Sequence, residues 1–299
     1  MFRRTLLSSI LVASLGLTLT ACNDSQPSAE GKAMAEVKAD MPSLKNAVAQ
    51  RTAEEKARDA SRHPIETLSF FRVAPGMTVA EALPGGGWYS QILANYLGSE
   101  GTLYGLNYDD DMWARFGFFS EDSIKERIAS TKQFPELVNG FTDNGISSDG
   151  FTFSSAPQSL NGTVDRVLFV RALHNLNRFE TDAQTLSSAL ATTHRLLKDD
   201  GYVGVVQHRL QEDASAQGAD GSRGYIKESD VLAAFEKAGF ELVATSDVNA
   251  NPKDQPSETD IVWRLPPSYL GARDDEAKKA AVDAIGESNR MTLLFKKAN

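Results

Sequence analysis

One stretch narrows the folds open to this chain more than any other: Met77-Thr-Val-Ala-Glu-Ala-Leu-Pro-Gly-Gly-Gly-Trp-Tyr-Ser90. The turn dipeptide Pro75-Gly76 introduces Thr78, Val79 and Ala80, which read as a short buried strand. Glu81 stands at its carboxyl end, and Pro84 stops it. Gly85, Gly86 and Gly87 then form a turn with little steric limit on the backbone. The spacing that follows predicts a helix, with Trp88, Ile92 and Tyr96 on one stripe and Tyr89, Leu93 and Leu97 on the next. Gly98 ends it.

Strand, glycine turn and helix make up the part of an open α/β sheet where a ligand reaches bare backbone N–H groups. A second strand is expected over Gly101 to Asn107. Asn107 then lies twenty positions past Gly87, where a nucleotide-binding α/β unit makes its ribose contact. A glycine triplet alone would fit a tight turn and nothing more. The strand, helix and second strand around it point to nucleoside binding.

Ser43 is placed to cap a helix running to about Arg62, and Pro64 breaks it. A further helix is expected from Ile65 to Arg72, with Leu68 and Phe71 facing the core, so 43–72 reads as a helical lead-in. Beyond Asn107 the pattern predicts a helix over Ser120 to Thr131 and a strand around Phe151 to Phe153. Val164 to Val170 is apolar and β-branched, a strong strand pattern. A polar loop, Arg171 to Asn177, follows, then a long amphipathic helix carrying Phe179, Leu186, Leu190 and Leu197. Tyr202 to Val206 reads as a strand, Gln207 to Gly224 as a loop, Glu228 to Ala238 as a helix and Phe240 to Ala244 as a strand. Residues 248–287 read as an insertion before a last strand, Met291 to Phe295. Alternating strands and helices predict a doubly wound, seven-stranded, mostly parallel sheet over residues 73–299.

The chain carries a formal charge of −9 and shows no basic stripe, which argues against a nucleic-acid partner. Its amino terminus has a positive start, Arg3-Arg4, and an apolar run from Thr5 to Thr20 that is too short to span a membrane comfortably. Leu19-Thr-Ala-Cys22 closes that run with the single cysteine of the protein. This resembles a bacterial lipoprotein signal. The resemblance implies removal of 1–21, lipid on Cys22, and a tether over 22–42. It also implies a periplasm-facing protein whose only membrane contact is the anchor. Asn23 resembles the outer-membrane class. An ordinary signal peptide with an incidental cysteine is the other reading. Without a second cysteine the chain forms no internal disulfide, and a lipid-bearing Cys22 leaves no thiol for catalysis.

The order of parts over residues 73–299 resembles the class I S-adenosylmethionine-dependent methyltransferases. Glu81 matches that family's acidic strand end, and Gly85 and Gly87 match its later two glycines; Leu83 stands where the family usually has the first. Val164 to Leu176, Leu197-Lys-Asp-Asp-Gly201, Ala238-Gly-Phe240 and Arg290 to Lys296 are similar to its later parts. Arg62-His-Pro64, Val262-Trp-Arg-Leu-Pro-Pro267 and Ile285-Gly-Glu-Ser288 look closer to a subgroup of bacterial methyltransferases of unknown substrate. The resemblance implies S-adenosylmethionine as cofactor. Gly85, Gly86 and Gly87 would admit its methionine part, and Glu81 would help hold its ammonium group. Asn107 would hold the ribose in place of the family's usual acid, or Asp109 would substitute for it.

His174 and His208 follow strands on the carboxyl edge of the sheet, where ligands bind. Either is a candidate general base, and either also fits a loop histidine with a structural hydrogen bond. No histidine pair has metal-ligand spacing. Trp88, Tyr89, Tyr108, Trp113, Phe116, Phe118 and Phe119 offer walls for an apolar acceptor pocket, though core packing is the commoner use. No Gly-x-Ser-x-Gly elbow supports a hydrolase. Two functions stay open: methyl transfer to a small or lipid-like acceptor at the envelope, and a non-catalytic binding or interaction lipoprotein that keeps the fold.

Overall fold

The computed structural model describes residues 43–215 and 218–298. Cys22 and the segments 1–21 and 22–42 lie outside the described residues. The eight strands are β1 (Thr78–Ala82), β2 (Thr102–Asn107), β3 (Ser147–Thr152), β4 (Val164–Val170), β5 (Leu197–Leu210), β6 (Ile226–Lys227), β7 (Phe240–Ser246) and β8 (Arg290–Lys297). Seven form the path β3-β2-β1-β4-β5-β8-β7, and the two-residue β6 pairs with the end of β5. From β3 to β5 the neighbours run parallel. The last strand, β8, is antiparallel to both β5 and β7. The strand order reverses between β1 and β4, and a crevice opens there at the carboxyl ends.

Alternation along each strand builds a core on both faces of the sheet. Ala80, Leu106, Val167, Phe169, Val203 and Val205 turn to one face and pack with Leu186, Leu190 and Phe235 from the helices Thr185–Leu196 and Glu228–Lys237. Val79, Leu103, Leu168 and Val206 turn to the other and meet Leu68, Phe71, Ile92 and Leu93. The lead-in therefore belongs to the same core as the sheet. Gly204 on β5 shows how tightly: a Cβ there would sit 2.5 Å from the Phe71 ring.

The structure corrects several expected boundaries. Residues 43–62 form three short helices, Leu44–Ala49, Ala53–Lys56 and Asp59–Arg62, rather than one. Ser43 caps the first as expected. Thr52 and Glu55 form a reciprocal capping box that starts the second, and His63, with φ 44°, separates the third from Pro64–Phe70. The expected loop after β4 contains the helix Leu173–Asn177. The long helix that follows is broken at Gln184, with φ 51°, into Glu180–Ala183 and Thr185–Leu196. β5 runs on to Leu210, so His208 lies in a strand and not a loop. There it is paired in register with Arg290 of β8.

The 248–287 insertion carries a single 3-10 turn, Val262–Arg264, and the helix Glu276–Ile285. A buried polar knot fixes its base. Asp254 accepts from Arg264 Nη2 (3.0 Å), from Tyr225 Oη (3.2 Å) and from the Asn289 backbone N–H (3.0 Å). This network holds Trp263 over the carboxyl edge of the sheet.

Candidate functional site

The turn after β1 begins with strain. Leu83 adopts φ 54°, a left-handed conformation that costs a residue with a Cβ roughly 1–2 kcal/mol and a glycine almost nothing. Its N–H donates to the Leu106 carbonyl at 2.7 Å, which turns the chain away from the sheet at the switch point. Gly85 (φ 56°) completes the turn, and a Cβ on the neighbouring Gly86 would meet nothing within 4 Å.

Leu83, Pro84 and Gly85 form one wall of a cavity of about 930 Å³, a size common for small-molecule sites. Asn107 and Tyr108 line it from the end of β2, and Trp113, Phe116, Phe118 and Phe119 form an aromatic wall. Trp263 reaches in from the insertion. Two lining residues hold buried donors with no partner among the described residues: Trp113 Nε1 and Arg127 Nε. The Arg127 guanidinium lies 4.1 Å from the centre of the Phe119 ring. Orphaned donors beside a cavity are unusual in a native fold, and a ligand with ring-nitrogen acceptors would satisfy them.

Glu81 points to the opposite face of the sheet from Ala80 and is 4% exposed. Its carboxylate accepts from Ser90 Oγ at 2.6 Å. Burial pushes its pKa up to about 7, against the Ser90 hydrogen bond and the attraction of Arg62 and Arg171. His174 and His208 lie close together, with ring centres 5.4 Å apart. His174 Nδ1 is 3.3 Å from Gln207 Oε1, which only accepts, so Nδ1 carries the proton in the neutral ring. His208 Nδ1 is 2.6 Å from Ser288 Oγ. Burial pulls His174 down to about 4 and His208 well below its usual value. Both rings are therefore neutral near pH 7.

No protein-family model and no curated protein matches the chain. Solved structures do resemble it. The 4+2 cyclase SpnF aligns over 80% of this chain and 81% of its own, at 14% identity and a TM-score of 0.52. A geranyl diphosphate methyltransferase in complex with S-adenosylmethionine covers 80% and 85%, at 15% identity and a TM-score of 0.48. A methyltransferase from Aquifex aeolicus, dependent on the same cofactor, covers 69% and 93%, at 16% identity and a TM-score of 0.44. The strand order, with its antiparallel β8 between β5 and β7, agrees with that likeness. The fold is a Rossmann-like α/β fold with a mostly parallel sheet, as in SpnF.

On this fold the expected site residues separate. Gly85 and Asn107 line the large cavity. Gly86 and Gly87 are not among the lining residues, and at Gly87 the space of the missing side chain is filled: a Cβ there would stand 2.7 Å from the Phe141 ring and 3.2 Å from Leu137. Asp109 is also placed otherwise. Its carboxylate accepts from Ser154 N (3.0 Å) and Oγ (2.6 Å) and borders a smaller cavity instead. Asn107 holds two local partners: Nδ2 donates to Thr131 Oγ1 (3.0 Å), and Oδ1 accepts from the Tyr108 N–H (2.9 Å). Of the aromatic set, Trp88 and Tyr89 stay away from the cavity. The Arg62 guanidinium covers Trp88, 4.2 Å from its ring centre, and Tyr89 is buried in the core.

The sequence does not single out Arg127, Arg171 or the cavity-lining place of Trp263. Arg127 sits on the expected helix, Glu121–Lys132, but no local pattern tells which side of that helix meets a cavity. Arg171 carries a signal only in its backbone: φ is 58°, rare for a long side chain.

Proposed function

We propose that this chain is an S-adenosylmethionine-dependent methyltransferase acting on a small or lipid-like acceptor at the cell envelope. One observation carries the reading most. The strained turn at the switch point, the end of β2 and two orphaned donors all converge on the 930 Å³ cavity. The residues fit the cofactor. Asn107 Oδ1 has a second lone pair for a ribose hydroxyl, and Trp113 Nε1 and Arg127 Nε are donors for a base. Glu81 does not line the cavity; from behind the turn, held by Ser90, it would act on an ammonium group through its charge alone. Bound there, the cofactor would supply an electrophilic methyl group.

The chain's own contribution is then chiefly alignment and exclusion of water. A neutral His174 with its basicity lowered to about 4 is a weak proton acceptor at pH 7, since a general base works best near the operating pH. Buried and outside the lining of the large cavity, it is better suited to holding Gln207 and backing Trp263, and His208 to holding Ser288. A likeness to a protein named as a cyclase shows the fold alone, so methyl transfer has to be tested directly. The envelope location rests on Leu19-Thr-Ala-Cys22. Among the described residues no helix is long and apolar enough to cross a membrane.

Calorimetry with S-adenosylmethionine and S-adenosylhomocysteine tests the cofactor. Near pH 7 both should bind at one site and release about half a proton, because an ammonium beside Glu81 favours its charged form. The release shows as heats that differ between buffers of different ionisation enthalpy. A folded protein that gives no heat with either ligand at millimolar concentration overturns the reading. Tight binding without turnover on any acceptor would favour the non-catalytic alternative. For location, Cys22→Ala should release the protein from the membrane fraction or leave it unprocessed. A wild-type chain that stays in the soluble fraction with Met1 intact would remove the envelope assignment.

A further inference from the structure

A second cavity, of about 150 Å³, lies on the other side of Trp263, which borders both. Arg58, Arg171, His208, Ser288 and Glu287 also line it. Glu287 is its single carboxylate, and two guanidiniums already share it: Arg58 Nε at 2.6 Å and Arg290 Nη1 at 3.2 Å. Arg171 Nε is buried and has no partner among the described residues. Behind the cavity the same holds for Arg62 Nε and Nη1 and for Arg290 Nε, in side chains of residues only 4% and 3% exposed.

Four guanidiniums thus surround one shared carboxylate, Glu287, while the buried Glu81 carboxyl, half-charged near pH 7, attracts Arg62 and Arg171 from the other side of the group. Burying a cation without a partner is costly, and the like charges repel. Desolvation and that repulsion pull Arg62 down to about 8 and Arg171 to about 10. Arg171 is also held in a left-handed backbone conformation, its N–H donating to the Val206 carbonyl at 2.6 Å. Strain of this kind persists where the surrounding structure enforces it, commonly at binding sites. The neutral His208 and the Ser288 hydroxyl add polar groups without negative charge.

We propose that this cavity binds an oxyanion, the carboxylate or phosphate group of the small molecule that reacts in the larger cavity. The anion offsets the excess positive charge and takes the free Arg171 donor. Trp263, the residue that the two cavities share, then contacts that molecule between its anchored end and its reacting end. The part that concerns a reacting molecule rests on the methyltransferase reading; the anion site does not.

Titration of the full-length protein with acetate and with phosphate, against chloride at equal ionic strength, tests the site. At least one oxyanion should bind saturably and raise the melting temperature, while chloride should not. Saturation by acetate alone assigns a carboxylate, and saturation by phosphate alone assigns a phosphate. Arg171→Met should weaken that binding at least tenfold and, without anion, melt no lower than wild type, since it removes an unpaired buried cation. Should that variant fail to fold, Arg58→Gln should weaken anion binding by a similar factor. No saturable response in the wild type, or wild-type affinity in a folded Arg171→Met, overturns the proposal. Cofactor affinity measured in the same samples separates the two readings. An anion response without S-adenosylhomocysteine binding would keep this site and sink the cofactor assignment.

Discussion

Glu81 and His174 titrate in opposite senses over nearly the same pH range. Glu81 is raised from its ordinary 4.5 to about 7, so the folded chain keeps a proton that the unfolded chain has released. Stability therefore falls as pH rises from about 4.5 to 7, by up to about 3 kcal/mol. His174 is lowered from 6.5 to about 4, so the unfolded chain takes up a proton that the folded one refuses. Stability is lost as pH falls through that window, by a similar amount. Glu81→Gln keeps an acceptor for Ser90 and removes the buried charge. It should be more stable than wild type by about 1–3 kcal/mol at pH 8, with the gain shrinking toward pH 4.5. Chemical denaturation at the two pH values measures this, and a gain that does not change with pH would remove Glu81 as its source. At Asn107, an aspartate could still accept from Tyr108, and the Thr131 hydroxyl can turn to donate. Asn107→Asp should leave folding nearly unchanged. It should tighten S-adenosylhomocysteine binding on the order of fivefold, since charged hydrogen bonds exceed neutral ones by roughly 1 kcal/mol. Weaker binding by the folded variant would place the ribose elsewhere. The sequence shows Asn107 at the strand end; it does not show that the amide is already engaged on both sides. Leu83 is similar. Its place at the end of β1 is visible in the residues, while its left-handed conformation is visible only in the backbone.

Among the elements, β1, the helix Trp88–Leu97 and β4 were legible because each is set by its own local pattern. The misread ones depend on something distant or on rare backbone angles. Pro64 marks the break at His63, but the one at Gln184 uses a left-handed residue that is not glycine, so no punctuation marks it. β5 extends to Leu210 because β8 lies beside it as far as His208 and β6 beyond that, and a strand's length follows its neighbour as much as its own residues. The lead-in illustrates the same dependence. Its apolar spacing marks Phe71 as a core residue, but the seat is Gly204 on β5. Gly204→Ala should therefore cost about 1–3 kcal/mol by overpacking, with the loss partly recovered in the double variant with Phe71→Leu. Thermal denaturation of the single and double variants checks the pairing. Losses that simply add would show that Phe71 is not what the new methyl group meets.

At the scale of the molecule, a chain with a net charge of −9 concentrates four arginines around one carboxylate. No basic stripe announces them, because they come from residues 58, 62, 171 and 290. The contacts that close this group join opposite ends of the described chain: Arg58 meets Glu287, and Arg290 meets the Ser61 carbonyl, each across 229 positions. This separation has a kinetic consequence. Contacts between distant residues form late, after the chain entropy of the long loop has been lost, and folds rich in them are slow. During synthesis, Leu68 and Phe71 emerge long before Gly204 and the strand that carries it. A chain arrested before Glu287 can therefore hold the glycine turn and the parallel strands, yet it has neither Glu287 nor Arg290. The arginine-lined cavity is the last part to come into being, and only the finished polypeptide has it.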